Sequence, residues 1–205
     1  MNMRDANNAQ TNNEQSRRTK VQNSLLLYLH DLVTLLAGIL LVLLLLFRIV
    51  IVQGPSMKNT LLDGDYLLLL SNNLYPNPKY GDIVVASKDD FKNGEPIIKR
   101  VIATEGQTVD IDFEAGVVCV DGIALVEPYT LTPTNLAEGI TFPIVVEDGC
   151  LFVMGDNRNE SKDSRNPEIG QVDKRDILGK AIFLILPGTD DGAVQAQYSR
   201  IGVIK

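Results

Sequence analysis

Histidine, cysteine and tryptophan are almost missing from this chain. Its 205 residues include one histidine, two cysteines and no tryptophan, and the single histidine, His30, lies beside a long leucine-rich run. Because no other histidine is present, the chain outside this run cannot form a Ser-His-Asp triad, a Cys-His dyad or a two-histidine metal site. If the chain carries a nucleophile, a residue other than histidine must accept its proton. Nothing in the sequence requires a metal or an organic cofactor.

The chain also lacks an excess of basic charge. Its formal net charge is −7 at pH 7, which argues against nucleic acid as the main partner. The charge is unevenly distributed, because residues 1–31 carry four basic and three acidic side chains, a net charge of +1, which leaves −8 for the rest. The acidic side chains therefore follow the hydrophobic run, and a basic cluster directly precedes it.

One segment is long and apolar enough to cross a membrane. Residues 32–47 contain no charged side chain, and Arg48 with four further apolar residues extends the run to Val52. About 20 apolar residues span the hydrocarbon core, whereas cleaved signal peptides have apolar regions of roughly 7–15 residues that end at a small-x-small site. No such site follows this run. The pattern predicts an uncleaved transmembrane helix over residues 25–52.

The flanking residues predict how this helix is oriented. Arg17, Arg18 and Lys20 lie just before it, and the positive-inside rule then places the N-terminus in the cytoplasm. Residues 1–24 are rich in Asn and Gln with few apolar side chains, which is typical of a disordered tail. We therefore expect a single-pass protein of the cell membrane, in contact with lipid, whose residues 53–205 lie outside the cytoplasm.

The remainder of the chain has the pattern of a β protein. Short β-rich runs alternate with Gly, Pro, Asn and Asp turn signals over residues 53–205. Asp121-Gly122 between two apolar runs predicts a hairpin. Residues 113–147 are interpreted as this hairpin together with a variable cap insertion. The expected fold class is mainly β, a partly closed, barrel-like antiparallel sheet.

Two side chains in this pattern could form a catalytic pair. Lys99 shares a strand face with Ile97 and Val101 by alternation, and burial lowers the pKa of a lysine amine from its usual value of about 10.4. An unprotonated amine could activate a serine such as Ser56 without any histidine. The alternatives are an edge-strand lysine whose amine reaches solvent and a serine that merely occupies a turn.

Several motifs together give the chain a family resemblance. The apolar helix is followed by GPSMKNTL at 54–61, YGDIVV at 80–85, IKRVIATEGQTV at 98–109 and VMGDNRNESKDSR at 153–165. In this order the motifs resemble those of type I signal peptidases. The lysine at position 99 resembles the pattern of the bacterial class of this family, which has lysine and not histidine at this position. The single span and the short stretch between Lys99 and Gly155 are similar to the compact Gram-positive form.

The resemblance implies roles for particular residues. Ser56 would attack the scissile carbonyl, Lys99 would act as general base, and Ser161 would orient the lysine amine. Asp163 and Arg165 would form a buried ion pair that supports the site, and the backbone N–H of Ser56 would be one oxyanion donor. Asn59 departs from the family pattern, in which proline usually precedes the threonine, but this change removes no reacting group.

The resemblance also implies where a substrate binds. The positions that match the family's pocket lining are Val50, Val52, Gly54, Leu67, Val85 and Ile98. Shallow apolar pockets would admit only small side chains and give small-x-small specificity. An extended peptide is expected to add as a strand beside the segments near residues 54 and 83. The expected partners are exported preproteins, and the protein is expected to be a monomer.

These observations predict a membrane-anchored serine endopeptidase that removes signal peptides from exported preproteins. A self-cleaving, repressor-type Ser/Lys protease is disfavoured by the membrane helix and the acidic charge. An inactive, membrane-tethered β domain that binds peptides is disfavoured by the presence of Ser56, Lys99 and Ser161. Cys119 and Cys150 are far apart in the sequence and are interpreted as two thiols that form no disulfide.

Overall fold

The computed structural model describes residues 3–87, 94–189 and 197–204, which separate into two units at residues 45 and 46. The first unit is formed by a single helix, α1, which extends from Met3 to Leu46. Within it, Asn23–Leu46 is long and apolar enough to cross a membrane, and none of this segment is buried inside the protein. At 1.5 Å per residue, its 24 residues extend over about 36 Å, which exceeds the roughly 30 Å of a hydrocarbon core.

Both ends of this helix differ from the sequence prediction. The helix ends at Leu46, and Phe47–Ile51 forms strand β1, whereas the apolar run predicts a membrane helix that continues to Val52. Aromatic and β-branched side chains dominate Phe47–Ile51, and they favour the extended backbone that pairs with the next strand. At the other end, α1 continues to Met3 in place of the predicted disordered tail. Extending a helix that already exists needs no new nucleus, and Ala, Gln, Glu and Arg favour it.

The second unit is built from strands, as the sequence predicted. Its strands are β1 Phe47–Ile51, β2 Tyr66–Ser71, β3 Ile83–Ala86, β4 Ile97–Thr104, β5 Thr108–Asp112, β6 Val117–Val120, β7 Ile123–Ala124, β8 Ile144–Val145, β9 Cys150–Met154, β10 Val172–Asp173, β11 Ile177–Leu186 and β12 Gly202–Val203. Two short 3₁₀ helices, Lys174–Asp176 and Tyr198–Arg200, precede β11 and β12. The fold is therefore mainly β, and the predicted fold class is confirmed.

The larger sheet is antiparallel and carries core residues on both faces. Its strand order is β1-β2-β11-β3-β4-β9-β10, and β12 pairs with β11. Alternation along β3 places Ile83 and Val85 in one hydrophobic cluster and Val84 and Ala86 in another. Because both of its faces are covered, β4 is buried along nearly its whole length. A polar side chain on β4 therefore has little access to solvent.

The smaller sheet contains the predicted hairpin. Its strand order is β7-β6-β5-β8, and β6 pairs with β7 through Val120 opposite Ile123. Asp121 and Gly122 have φ angles of 52° and 76°, as the two central residues of a type I′ turn require. The hairpin prediction is confirmed. Cys119 lies on β6 and Cys150 on β9, and no disulfide joins them.

Candidate active site

Ser56 lies on a tight, hydrogen-bonded turn between β1 and β2. The backbone N–H of Lys58 donates to Pro55 O at 3.0 Å, and that of Leu61 donates to Met57 O at 2.8 Å. Met57 and Leu61 are buried in the core below. Their burial fixes the turn and leaves the half-buried Ser56 at its surface.

Lys99 reaches this turn from β4. Its Nζ lies 2.8 Å from Ser56 Oγ and 3.0 Å from the main-chain oxygen of Ile98, which accepts a hydrogen bond from the amine. The Lys99 side chain is only 4% exposed, so it is not an edge-strand lysine that extends into solvent. The amine is within proton-transfer distance of the hydroxyl, which is the geometry that a nucleophile and its general base need.

The loop after β9 supplies a second group of polar side chains. Ser161 Oγ donates to Asp163 Oδ2 at 2.9 Å. Arg165 binds both oxygens of the same carboxylate, Nε to Oδ1 and Nη2 to Oδ2, each at 2.8 Å. All three side chains are buried, so Asp163 is held by a two-pronged ion pair inside the protein. The structure thus brings Ser161, Asp163 and Arg165 together.

Gly155 allows this loop to approach the Ser56 turn. A Cβ atom at position 155 would lie 2.2 Å from Ser161 Oγ and 2.5 Å from the main-chain oxygen of Ser56. The backbone N–H of Asn157 donates to that same oxygen at 3.0 Å. The Ser56 turn and the loop of Ser161 are therefore in direct contact, and only glycine fits between them.

Sequence reasoning missed the partner of Arg100. Arg100 follows Lys99 in β4, and Nε and Nη2 bind the two Asp156 oxygens at 2.8 and 2.7 Å. The hydroxyl of Thr60, on the Ser56 turn, donates to Asp156 Oδ2 at 2.5 Å. The signal in the sequence was the pair of adjacent cations inside an apolar strand, because a buried arginine needs an anion.

The cap insertion is bound to the same loop. Arg158 binds both carboxylate oxygens of Glu127, and its Nη1 also donates to Thr134 Oγ1 at 2.8 Å. Burial lowers the pKa of the Arg158 guanidinium, but the Glu127 carboxylate outweighs this effect, so the pKa is raised overall. Arg158 Nε donates to Gly155 O at 3.1 Å. Part of the cap thus belongs to the framework of the site.

The ring of Tyr129, also in the cap insertion, covers Arg100. The guanidinium carbon lies 4.0 Å from the ring centroid, a cation–π contact. Burial, followed by the neighbouring Tyr80 and Glu127 side chains, raises the pKa of the Tyr129 hydroxyl well above its usual value. The tyrosine therefore stays neutral, and its ring face remains available to the cation.

A cavity of about 590 Å³ opens beside Ser56 and Lys99. Its lining includes five of the six residues predicted to contact substrate, namely Val50, Val52, Gly54, Val85 and Ile98. Leu67 is not among the lining residues; its side chain is fully buried in the hydrophobic cluster that also contains Val52, Val85 and Ile98. The lining also includes Glu95, Pro96, Glu160 and Lys162, which sequence reasoning did not select.

The strand edges beside this cavity differ from the expectation for substrate pairing. Strand β3 at Ile83–Ala86 already pairs with β11 on one side and with β4 on the other, so it cannot accept a peptide. Among the described residues, strand β1 pairs only with β2. Within the described ranges, β9 pairs with β4 only from Arg100 onward, which leaves Ile97–Lys99 without a second strand partner. The open edges are therefore those of β1 and of the first part of β4.

Comparisons with known proteins identify the family of this chain. The family model for "Signal peptidase, peptidase S26" matches residues 25–186. A signal peptidase I of Bacillus licheniformis is 33% identical over 181 residues, which cover 84% of this chain and 95% of that protein. A probable signal peptidase I-1 of a Synechocystis species is 38% identical over 147 residues, which cover 67% of this chain and 70% of that protein.

A crystal structure of a signal peptidase I from Enterococcus faecalis also matches. It is 27% identical, covers 51% of this chain and 96% of its own, and has a TM-score of 0.41. The family model and the sequence relatives show that the chain belongs to the signal peptidase family, peptidase S26. The protein is a serine endopeptidase, and its apolar helix fits a membrane anchor.

Proposed function

We propose that this protein removes signal peptides from exported preproteins, with Ser56 as nucleophile and Lys99 as general base. The observation that carries the proposal is the 2.8 Å separation of Lys99 Nζ and Ser56 Oγ. The described part of the domain beyond the helix contains no histidine, so the amine is the base available to this hydroxyl. Its burial excludes water that would otherwise favour the charged ammonium.

The reaction follows from this contact. The unprotonated Lys99 amine takes the proton of Ser56 Oγ while that oxygen attacks the scissile carbonyl carbon. The backbone N–H of Ser56 donates to the oxyanion that forms. The Lys99 ammonium then gives its proton to the leaving amine, which leaves an acyl ester on Ser56. Water attacks the ester carbonyl after losing a proton to Lys99, and that proton returns to Ser56 Oγ as the second product leaves.

Ser161 is proposed to orient the base. Its hydroxyl hydrogen is directed to Asp163, so its oxygen retains lone pairs that can accept a hydrogen bond from the Lys99 amine. Asp163 is in turn fixed by Arg165 and by the backbone N–H of Gly155, which donates to it at 2.9 Å. A fixed acceptor limits the rotamers of the lysine side chain.

The cavity supports a preference for small side chains on the substrate. Val50, Val52, Val85 and Ile98 crowd its apolar lining next to the dyad. A peptide extended between the open edges of β1 and β4 would gain main-chain hydrogen bonds, and alternate side chains would point into the cavity. This arrangement supports cleavage after small-x-small sequences.

The sequence around the apolar helix supports the proposed topology. The chain passes from Leu46, the last residue of α1, to Ser56 in ten residues. The basic cluster before the helix favours a cytoplasmic N-terminus and an extracytoplasmic catalytic domain. External protease added to cells without a wall should digest the β domain, and survival of that domain would overturn this orientation.

Cleavage of a model preprotein by the full chain in detergent tests the dyad. Ser56→Ala and Lys99→Ala should each lower the rate by a factor on the order of 10³ or more while the proteins stay folded. Ser87→Ala and Lys79→Ala, which lie outside the cavity lining, are the matched controls and should retain activity. Full activity in Lys99→Ala would overturn the dyad, and no cleavage by the wild type would favour a binding module.

The pH dependence of the rate provides an independent test. Since the base acts in its unprotonated form, kcat/KM should increase with pH as Lys99 loses its proton. Lys99→Arg keeps the positive charge but cannot deprotonate in this range, so it should be inactive at every pH. A rate that is flat or that falls toward alkaline pH would contradict general-base catalysis by lysine.

A further inference from the structure

The C-terminal end of the described chain packs against the nucleophile turn. We call residues 187–189 and 197–204 the C-terminal strap; they lie beyond the family match, which ends at residue 186. Its strand β12 pairs with β11 through Val203 opposite Phe183. A Cβ atom at Gly188 would lie 2.0 Å from Asp63 O and 2.6 Å from Gly64 C. The strap thus contacts the backbone that follows Ser56 as closely as a glycine permits.

Arg200 connects the strap to this backbone by charge. Its Nη1 and Nη2 bind Asp65 Oδ1 and Oδ2 at 2.9 and 2.6 Å, and Nη2 also donates to Thr60 O at 3.3 Å. Asp65 is fully buried, and the Arg200 side chain is 18% exposed. The same carboxylate accepts the backbone N–H groups of Leu62 and Gly188, at 2.8 and 2.7 Å. Asp65 therefore joins the strap to the end of the Ser56 turn.

Thr60 extends this connection to the catalytic pair. Its main-chain oxygen accepts from Arg200, while its hydroxyl donates to Asp156. Asp156 is bound by Arg100, the neighbour of Lys99, and the N–H of Asn157 donates to Ser56 O. Thr60 thus links Arg200 to Asp156, whose contacts connect the Ser56 turn to β4, the strand of Lys99.

We infer that Arg200 is a positioning residue for the peptidase reaction, which the C-terminal strap uses to hold the Ser56 turn against Lys99. The inference rests on the proposed Ser56–Lys99 mechanism. Without Arg200, the buried Asp65 carboxylate loses its cation, and the turn from Ser56 to Asp65 keeps only the Gly188 N–H as a hydrogen bond from the strap to Asp65. A displacement of about 1 Å at the nucleophile costs about 10²-fold in rate.

The test compares two variants of the full chain in detergent, with steady-state cleavage of a signal-peptide substrate as the readout. Arg200→Met removes the strap contact. Lys174→Met is the control, because the Lys174 side chain is also 18% exposed and pairs with a carboxylate, that of Glu105, outside the cavity lining. Thermal unfolding midpoints of both variants measure their stability.

We expect Arg200→Met to lower kcat by about 10- to 100-fold with KM within about twofold of wild type. Lys174→Met should change neither constant by more than about twofold. The inference is overturned if Arg200→Met has a wild-type kcat, or if Lys174→Met loses as much kcat at an equal unfolding midpoint. Either result would mean that Arg200 only stabilises the fold through its ion pair with Asp65.

Two further variants keep the inference open to refutation if Arg200→Met does not fold. Arg200→Lys retains the charge but cannot form the two-pronged contact, so its kcat should lie below that of wild type. Gly188→Ala should push the strap from the turn and lower kcat although Arg200 is intact. A wild-type kcat in Arg200→Lys and Gly188→Ala would overturn the inference.

The Ser56→Ala variant separates this inference from the proposed function. If Ser56→Ala is inactive and Arg200→Met is fully active, only the positioning role fails. If Ser56→Ala cleaves as well as wild type, the proposed mechanism itself fails, whatever the Arg200 variants do.

Discussion

The Arg100 guanidinium and the Asp156 carboxylate form two parallel hydrogen bonds, 2.8 and 2.7 Å long, and neither side chain reaches solvent. Arg100 follows Lys99 on β4. Asp156 precedes Asn157, whose N–H donates to the main-chain oxygen of Ser56. The ion pair thus connects the strand of the proposed base to the turn of the proposed nucleophile.

Asp156→Asn should destabilise the protein strongly. The amide retains the shape of the carboxylate but leaves Arg100 as a buried cation without its counter-charge, which typically costs about 3–5 kcal/mol. Thermal or urea unfolding of the full chain in detergent measures the loss. Glu168→Gln is the matched control, because Glu168 pairs with Lys162 at the surface, where such pairs contribute roughly 0–1 kcal/mol. Equal effects of the two substitutions would contradict a structural role for the Arg100–Asp156 pair.

Local features of the fold could be predicted from the sequence. Asp121-Gly122 specifies a type I′ turn by itself, because both residues tolerate positive φ, and the alternation along β3 assigns its two faces. Ser56 and Lys99 could be selected because a serine and a lysine interrupt apolar segments in a recognisable motif. These signals depend on residues that are adjacent or nearly adjacent in the chain.

Pairings between distant residues could not be predicted in the same way. Arg100 and Asp156 are 56 positions apart, and Arg158 and Glu127 are 31 apart, so only the register of β4 with β9 and the path of the cap bring them together. The substrate contact predicted for Leu67 stays a prediction, because its fully buried side chain lies in the same hydrophobic cluster as the cavity-lining Val52 and Ile98. The end of α1 was wrong, since Phe47–Ile51 is apolar enough for a membrane helix.

Ile98→Ala should broaden substrate specificity. Ile98 lines the cavity beside Lys99, and its truncation makes room for a larger residue on the N-terminal side of the scissile bond. The ratio of kcat/KM for a leucine substrate to that for an alanine substrate should increase about tenfold or more. Leu67→Ala is the control, because Leu67 is fully buried in the core. It should cost about 2–5 kcal/mol of stability and leave that ratio unchanged. A change in the ratio for Leu67→Ala but not for Ile98→Ala would contradict this assignment of the cavity.

The stability of Glu138→Gln relative to that of wild type should increase with pH. Burial, and then the Asp163 carboxylate, raise the pKa of Glu138 above its usual 4.5, and Arg165 offsets this only in part. The folded chain therefore holds this proton more tightly than the unfolded chain. The resulting stability is complete below pH 4.5 and is lost as the pH rises through the folded pKa. Glutamine does not titrate, so the unfolding midpoint of the variant minus that of wild type should increase between pH 4.5 and 7.

Glu105→Gln provides the control for this pH effect. The hydrogen bond from Lys174, together with that from the Gly149 N–H, lowers the pKa of Glu105, so its titration in the folded chain lies below 4.5. Its midpoint difference should fall slightly just above pH 4.5, where the unfolded carboxyl finishes titrating, and should not increase up to pH 7. If the midpoint difference for Glu138→Gln is constant or falls over this window, the fold does not disfavour the ionised carboxylate of Glu138.

Gly155→Ala should strongly lower peptidase activity, although it adds only a methyl group. The new Cβ would lie 2.2 Å from Ser161 Oγ and 2.5 Å from Ser56 O, so the loop of Ser161 and the Ser56 turn must separate. Gly179→Ala introduces a comparable clash, 2.4 Å from Leu70 O, between β11 and β2 and outside the cavity lining. Both variants should unfold at lower temperature than wild type. At a temperature where both remain folded, Gly155→Ala should lose at least about 10²-fold in kcat, whereas Gly179→Ala should keep most of it. If the two variants lose the same activity, the effect is one of stability, and the close approach of Ser161 to the Ser56 turn is not required for catalysis.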